Sequence, residues 1–264
     1  MKQPLIDHAL SDEVSKLRDQ DFESVWDPER KPHVFRQYQN QLRFYVGLVK
    51  PEMHRIMDIG CASATLSLLL AERGHYVVAV DLREGFLEYA RLRYTHGQIQ
   101  FVQADALSQP LPTGMDLIFA NQIIEHTVYP LKMLRNLARS LSNTGRIVVT
   151  TPNQKYFRNK LPSFTDLGDV SAFEDKQHTA DGDGHFFLFR EEELREQIEK
   201  AGLEIERVSY FETPIIAGHC KLRHLNKVIK SNQFWEKAES VLLSCVPLLP
   251  KICHQISIIA RIPQ

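Results

Sequence analysis

The sequence predicts an α/β fold: a doubly wound, seven-stranded and mostly parallel sheet with N-terminal and inserted helical segments. Two observations predict it. From Arg55 onward, short apolar runs alternate strictly with stretches of helical periodicity. The runs are rich in β-branched residues and lack apolar–polar alternation, so they are strands buried on both faces, as in a parallel sheet covered by helices. The handedness of the crossovers then winds the chain to both sides of the sheet.

Residues 1 to 54 are polar and charged, with aromatics at Phe22, Trp26, Phe35, Tyr38, Phe44 and Tyr45. Leu42, Tyr45, Val46 and Val49 recur at helical spacing, which predicts a helix running up to Pro51 that either covers a sheet edge or lids a ligand. Ile56-Met57-Asp58-Ile59 is the first strand and ends at Gly60; the stripe Leu66, Leu69, Leu70 is a helix stopped by Gly74. Tyr76 to Val80 is the second strand, ending in Asp81, followed by a helix through Phe86, Tyr89, Ala90 and Leu92. Strands at Ile99–Val102 and Leu117–Ala120, a helix from Leu131 to Leu141 and a strand at Ile147–Thr150 continue the rhythm. Pro152 to Gly184 is irregular, and a helix resumes at Glu191 to Ala201, closed by Gly202. Glu204 to Phe211 reads as the next strand, 213–254 as helical and partly basic, and Ile256–Ala260 as a final, antiparallel strand. The expected division is an N-terminal helical cover at 1–54, a core at 55–212 with an inserted lid at 152–190, and a helical addition with the last strand at 213–264.

Charged residues make up 25% and hydrophobic ones 43% of 264 residues, which are globular proportions. Lys and Arg total 32 against 33 acids, a net charge of −1, so no global field draws the chain to nucleic acid. Cys61, Cys220, Cys245 and Cys253 form no Cys-x-x-Cys pair, which favours reduced thiols and no structural zinc. The N-terminus lacks the apolar core of a signal peptide, and Val241–Leu249 is interrupted by Ser244, Cys245 and Pro247. The expectation is a soluble, cytoplasmic protein.

The chemistry concentrates at the first strand–turn–helix, Asp58-Ile59-Gly60-Cys61-Ala62-Ser63-Ala64. Small residues at alternate positions let the backbone approach a ligand where free N–H groups of a helix N-terminus face it. Asp58 could accept from an ammonium group. Asp81 lies about 20 residues beyond that turn, where an acid chelates ribose hydroxyls in doubly wound folds. Asp105, in Gln103-Ala104-Asp105-Ala106-Leu107, suits an exocyclic purine amino group, and the fourth strand delivers Asn121 and Gln122 to the same crevice.

In these motifs the chain resembles the class I S-adenosylmethionine-dependent methyltransferases, especially the small-molecule group around ubiquinone and menaquinone biosynthesis. Asp58 to Ala64 matches the family's first motif, Val80-Asp81 the second, Ala104-Asp105-Ala106 the third, Asp116-Leu117-Ile118-Phe119 the fourth strand and Thr144 to Asn153 the fifth. The resemblance spans about 53–212. It implies the Rossmann-like methyltransferase fold and S-adenosyl-L-methionine as cofactor, held by Asp58, Gly60, Cys61, Ala62, Asp81, Leu82, Asp105, Ala106, Asn121 and Gln122. Ala62 and Ala64 stand where the family has glycines, and alanine at the first of these is tolerable if its φ is negative. The two alanines keep open a non-catalytic binding or scaffold protein on the same fold. A nicotinamide-dependent oxidoreductase is disfavoured, because Gly60-Cys61-Ala62-Ser63-Ala64-Thr65 fails the dinucleotide pattern twice.

In quinone-pathway O-methyltransferases a Glu-x-x-Glu-His stretch after the fourth strand can bind a metal; here it reads Gln122-Ile123-Ile124-Glu125-His126. The resemblance leaves three roles for Glu125 and His126: ordering the loop, holding a metal, or, for His126, general base. No residue is assigned to a metal. His185, just before Phe186-Phe187-Leu188-Phe189, is the second catalytic candidate, while His178, Asp181 and Asp183 read as a solvated loop. Tyr156, Phe157 and Arg158 could shape an acceptor pocket. Cys220 to Lys230 has four basic residues and no acid, with Leu222, Leu225, Val228 and Ile229 on one helical face. It packs on the domain or, through 219–250, makes weak contact with an anionic membrane surface. The implied partner is a small-molecule acceptor, lipidic or quinone-like.

Overall fold

The computed structural model describes residues 1–6, 8–177, 184–216, 232–245 and 249–263. Seven strands form one sheet: β1 (Arg55–Ile59), β2 (Tyr76–Asp81), β3 (Gln98–Gln103), β4 (Met115–Asn121), β5 (Leu141–Pro152), β6 (Glu204–Phe211) and β7 (Gln255–Arg261). Their order is β3-β2-β1-β4-β5-β7-β6, parallel except for β7, which runs against both its neighbours. The fold class expected from the sequence is the one observed. Strand order reverses between β1 and β4, and such a switch point opens a crevice beyond the carboxyl ends of the two strands.

Side chains alternate between the two faces. Ile56, Val77, Leu117, Phe119 and Val148 face α2 (Pro32–Leu48) and α3 (Thr65–Glu72). Met57, Val78, Ile118, Ile147 and Ile258 face α5 (Pro130–Ser140) and α7 (Glu191–Lys200). The N-terminal segment therefore covers a sheet face through Leu42 and Tyr45 of α2, where an edge was one expectation. Among the described residues, the helices of the insert are the short α6 (Phe164–Leu167) and a 3-10 turn at Val170–Lys176. Within the C-terminal addition, α8 (Asn232–Cys245) is described, and residues 217–231 and 246–248 lie outside the described residues. The whole basic segment at 220–230, on which the expected membrane contact rests, lies outside the described residues, as do His178, Asp181 and Asp183. Among the described residues, no helix is long and apolar enough to cross a membrane.

The helix α4 (Glu84–Arg93) corrects one expectation. Phe86, Tyr89 and Ala90 are buried as predicted, but Leu92 is 39% exposed and Arg93 is fully buried. The spacing 86, 89, 90, 93 is the helical i, i+3, i+4, i+7 stripe, so position 93 faces inward whatever residue stands there. Arg93 is accommodated by α1 (Asp12–Asp21): its Nη2 lies 2.9 Å from Asp21 Oδ1. The other Asp21 oxygen accepts Trp26 Nε1–H at 2.8 Å and the Tyr89 hydroxyl at 3.0 Å. Arg93 Nη1 donates to the Ser63 carbonyl and to Thr65 Oγ1, tying the N-terminal helix to the turn after β1. Removing one partner of a buried pair strands the other's charge. Asp21→Asn and Arg93→Met are each expected to lower the unfolding free energy by about 3–5 kcal/mol, read as a lower urea midpoint at unchanged m-value.

Candidate active site

The turn after β1 is built from left-handed residues: Gly60 has φ +66°, Ala62 +47° and Ala64 +55°. The condition under which alanine was expected to be tolerable at position 62, a negative φ, is not met. A Cβ on Gly60 would also stand 2.6 Å from Ile123 Cδ1, so a side chain there would be strained in φ and would have to push the tip of Ile123 aside. The strained turn is held from β2. Asp81 Oδ2 accepts the Ala62 N–H at 2.9 Å, and Asp81 Oδ1 accepts the Arg83 N–H at 3.0 Å. Asp105 caps the turn after β3 in the same way, accepting from the Leu107 N–H at 2.9 Å and from Ser108 Oγ at 2.6 Å.

These turns line a cleft of about 790 Å³ at the switch point. Of the residues predicted from the sequence, Gly60, Ala62, Asp81, Leu82, Asp105, Ala106, Gln122 and His126 line it. Asp58, Cys61, Asn121 and His185 do not line this cleft. Asp58 sits beneath it, accepting from Ser67 Oγ at 2.6 Å, and Cys61 is buried in the cluster between α3 and α4. Asn121 Oδ1 accepts from Thr150 Oγ1 at 3.1 Å. Sequence reasoning missed an entire wall: Glu13, Lys16, Leu17 and Gln20 of α1 line the cleft, and Arg83 Nη1 bonds Glu13 Oε1 at 2.7 Å. The only local signal was amphipathicity, with Val14 and Leu17 buried one turn apart and polar residues between them. At the opposite end, Gln177 of the insert lines the cleft and accepts the Val128 N–H at 2.8 Å.

A family model described as a methyltransferase domain matches residues 14–208, from α1 into β6. The chain belongs to the methyltransferase domain family. The ubiquinone biosynthesis O-methyltransferase of Idiomarina loihiensis is 30% identical over 104 residues, 38% of this chain and 43% of that protein. The demethylmenaquinone methyltransferase of Clavibacter sepedonicus is 37% identical over 97 residues, 36% of this chain and 40% of that protein. This chain thus spans less than half the length of these two relatives in the matched region. A solved S-adenosylmethionine-dependent methyltransferase from Mesorhizobium loti superposes with a TM-score of 0.57 at 19% identity, covering 86% of this chain and 97% of that one. One from Archaeoglobus fulgidus gives 0.53 at 22% identity, covering 85% and 93%. At such identities the structures establish the shared fold.

The acids of this methyltransferase domain sit in contrasting surroundings. Burial raises Asp81, opposed by the N–H groups of Arg83 and Ala62 and by the Arg83 charge. Asp58 is raised to about 7, first by burial and further by the Asp81 charge. Glu125 is wholly buried and raised to about 8 by that burial; Thr151 Oγ1 donates to its Oε2 at 2.9 Å, while Oε1 has no hydrogen-bond partner among the described residues. His185 Nε2 stands 3.9 Å from that Oε1. Burial, then the nearby charges of His126 and His254, lowers His185 to about 4. The rings of His126 and His185 meet edge to face at 4.8 Å, and His126 Nδ1 is 3.1 Å from the Gly184 carbonyl. Ligand atoms of Glu125, His126 and His185 all lie within 4.8 Å of one another. That set offers one carboxylate oxygen and two imidazole nitrogens, donors that suit zinc or iron better than magnesium.

Two outcomes follow for stability. A left-handed L-residue costs about 1–2 kcal/mol, and the greater freedom of glycine in the unfolded chain returns about 0.4–1 kcal/mol of that. Ala62→Gly is therefore expected to raise the denaturant midpoint by the equivalent of about 0.5–1 kcal/mol, and Gly60→Ala to lower it by at least about 1 kcal/mol. Glu125 keeps its proton in the folded state up to about 8 but releases it near 4.5 when unfolded. The folded chain thus holds the extra proton between these values, so stability falls as pH rises through that window. Glu125→Gln is expected to flatten the fall, measured as unfolding free energy from pH 4.5 to 8.

Proposed function

We propose that the chain binds S-adenosylmethionine in this cleft and transfers its methyl group to a small-molecule acceptor. The observation that carries this reading is the Asp81 carboxylate, anchored between the Gly60–Ala64 turn and Arg83 yet lining the cleft. Each Asp81 oxygen spends one lone pair on a backbone N–H and keeps another for a ribose hydroxyl. The left-handed Gly60 leaves room where a side chain would fill the cradle beside Ile123. Asp105, at the end of β3, supports the adenine end, with Gln177 closing it.

When bound, S-adenosylmethionine would supply a sulfonium methyl open to in-line attack by an acceptor lone pair, the carbon–sulfur electron pair leaving with sulfur as a thioether. The chain's tasks are alignment of acceptor and methyl and exclusion of water. For a hydroxyl acceptor the departing proton needs a base, and His126 lines the cleft with His185 packed on it. His126 is the histidine that reaches the cleft; burial lowers His185 to about 4, so it stands neutral beside His126 as a weak base. The relatives named for ubiquinone and menaquinone biosynthesis support a quinone-like acceptor. A cytoplasmic setting belongs to the same reading, supported by Cys61, which is a buried free thiol.

Calorimetry with S-adenosylmethionine tests the proposal. The intact protein is expected to bind, and Asp81→Ala, which removes both anchor and ribose acceptor, to bind at least about tenfold more weakly, a loss of about 1.4 kcal/mol. Equal binding by the two proteins, or none by the intact one, would count against the cofactor site.

A further inference from the structure

A run of polar side chains, unrelated to the sequence motifs, leads away from the cleft at Gln122. Gln122 has φ +52°, lines the cleft, and donates from Nε2 to Gln255 Oε1 at 2.8 Å. The Nε2 of Gln255, the first residue of β7, lies 3.1 Å from His254 Nδ1. That same Nδ1 is 3.0 Å from Glu212 Oε2, which also accepts from Gln37 Nε2 of α2 at 2.9 Å. The main chain reinforces the contact, the His254 N–H donating to the Glu212 carbonyl at 2.9 Å.

Glu212 is an expensive residue for its place. It is wholly buried, its Oε1 has no hydrogen-bond partner among the described residues, and its φ is +61°. Strand termination there needs neither an acid nor a left-handed side chain, and such strain collects where a site over-determines the backbone. A second buried acid, Glu239 of α8, accepts the Thr213 N–H at 2.9 Å; burial raises it to about 7, with the Glu212 charge adding. Glu239 is thereby pushed toward its neutral form, and Glu212 is the acid whose oxygen stands 3.0 Å from His254 Nδ1.

His254 Nδ1 can serve one of its two neighbours. Protonated, it donates to Glu212; unprotonated, it accepts from Gln255. Glu212 Oε2 keeps Gln37 Nε2 as a donor either way, but a bare ring nitrogen 3.0 Å from that oxygen would set two lone pairs against each other, so the proton belongs on Nδ1. The Gln255 amide must then turn its oxygen to the ring, and Gln122, hydrogen-bonded to Gln255, must turn with it, since the two ends of an amide have opposite hydrogen-bonding character.

We propose that Glu212 and His254 are positioning residues of the cleft: the carboxylate fixes the imidazole, and the imidazole fixes, through Gln255, which end of the Gln122 amide meets the ligand. The cleft's role in binding S-adenosylmethionine is taken from the proposed function; the connection between the four side chains is not.

Two measurements test it separately. In calorimetry with S-adenosylmethionine, Glu212→Gln and Gln122→Ala are each expected to weaken binding about tenfold, and the double variant no more than the worse single one, because both remove one contact. Losses that multiply, or intact binding in Glu212→Gln, would overturn the proposal. Nitrogen-15 spectra of the intact protein without ligand are expected to find His254 protonated at Nδ1, and the Gln122 side-chain amide to shift in Glu212→Gln. A His254 protonated only at Nε2, or an unmoved Gln122 amide, would overturn it without reference to the cofactor. Failure of the intact protein to bind S-adenosylmethionine would sink the functional reading alone.

Discussion

The Asp81 carboxylate is the constraint on which the rest of the site depends. Three of five consecutive residues after β1 are left-handed, two of them alanines, a conformation the chain does not adopt unaided. One carboxylate oxygen bonds the Ala62 N–H and the other the Arg83 N–H, so the first two strand–helix turns share a single anchor. Those N–H groups also oppose the burial that raises an acid only 6% exposed. Once the two turns are locked together, the cleft floor, the start of α3 and the approach to α4 are all placed.

The cleft is completed by segments far away in the chain. The Asp21–Arg93 pair fastens α1 to α4, and Arg93 reaches on to the Ser63 carbonyl inside the turn that Asp81 anchors. The N-terminal wall and the cofactor turn are thereby one mechanical unit, with Glu13–Arg83 as a second, more exposed tie. At the other end the insert docks through Gln177 on the Val128 N–H and through the Tyr129–Glu174 hydrogen bond.

The two sides of the switch point treat their acids differently. Asp81 has a backbone donor on each oxygen, whereas Glu125 takes the Thr151 hydroxyl on one oxygen and faces His185 with the other, which has no hydrogen-bond partner among the described residues. A carboxylate supplied with N–H groups stays available as an anion; one without them tends to keep its proton and becomes a hydrogen-bond donor. The first arrangement suits hydroxyls that need an acceptor, and the second suits an acceptor group that must be oriented while a neutral imidazole stands beside it.

By itself the sequence determined the strands, the helices between them and the burial of the central strands on both faces, because backbone hydrogen bonding imposes periods that residue type must follow; the edge strands β3 and β6 are instead half exposed, since each has a neighbour on one side only. It also determined that Gly60, Asp81, Asp105 and Gln122 meet, since strand ends at a switch point converge whatever fills the rest. Tertiary structure decided what depends on partners distant in the chain. Position 93 was inward by spacing, but a buried arginine is tolerable there through Asp21, 72 residues earlier (93 − 21), together with the Ser63 carbonyl and Thr65. Ala62 and Ala64 carried no sign of their φ, because the hydrogen bond that offsets the strain at Ala62 comes from the next strand. Glu212 and His254, 42 residues apart, gave no local signal of pairing at all. Short-range periodicity is written in neighbouring residues; charge pairing is written only in the packing that brings distant ones together.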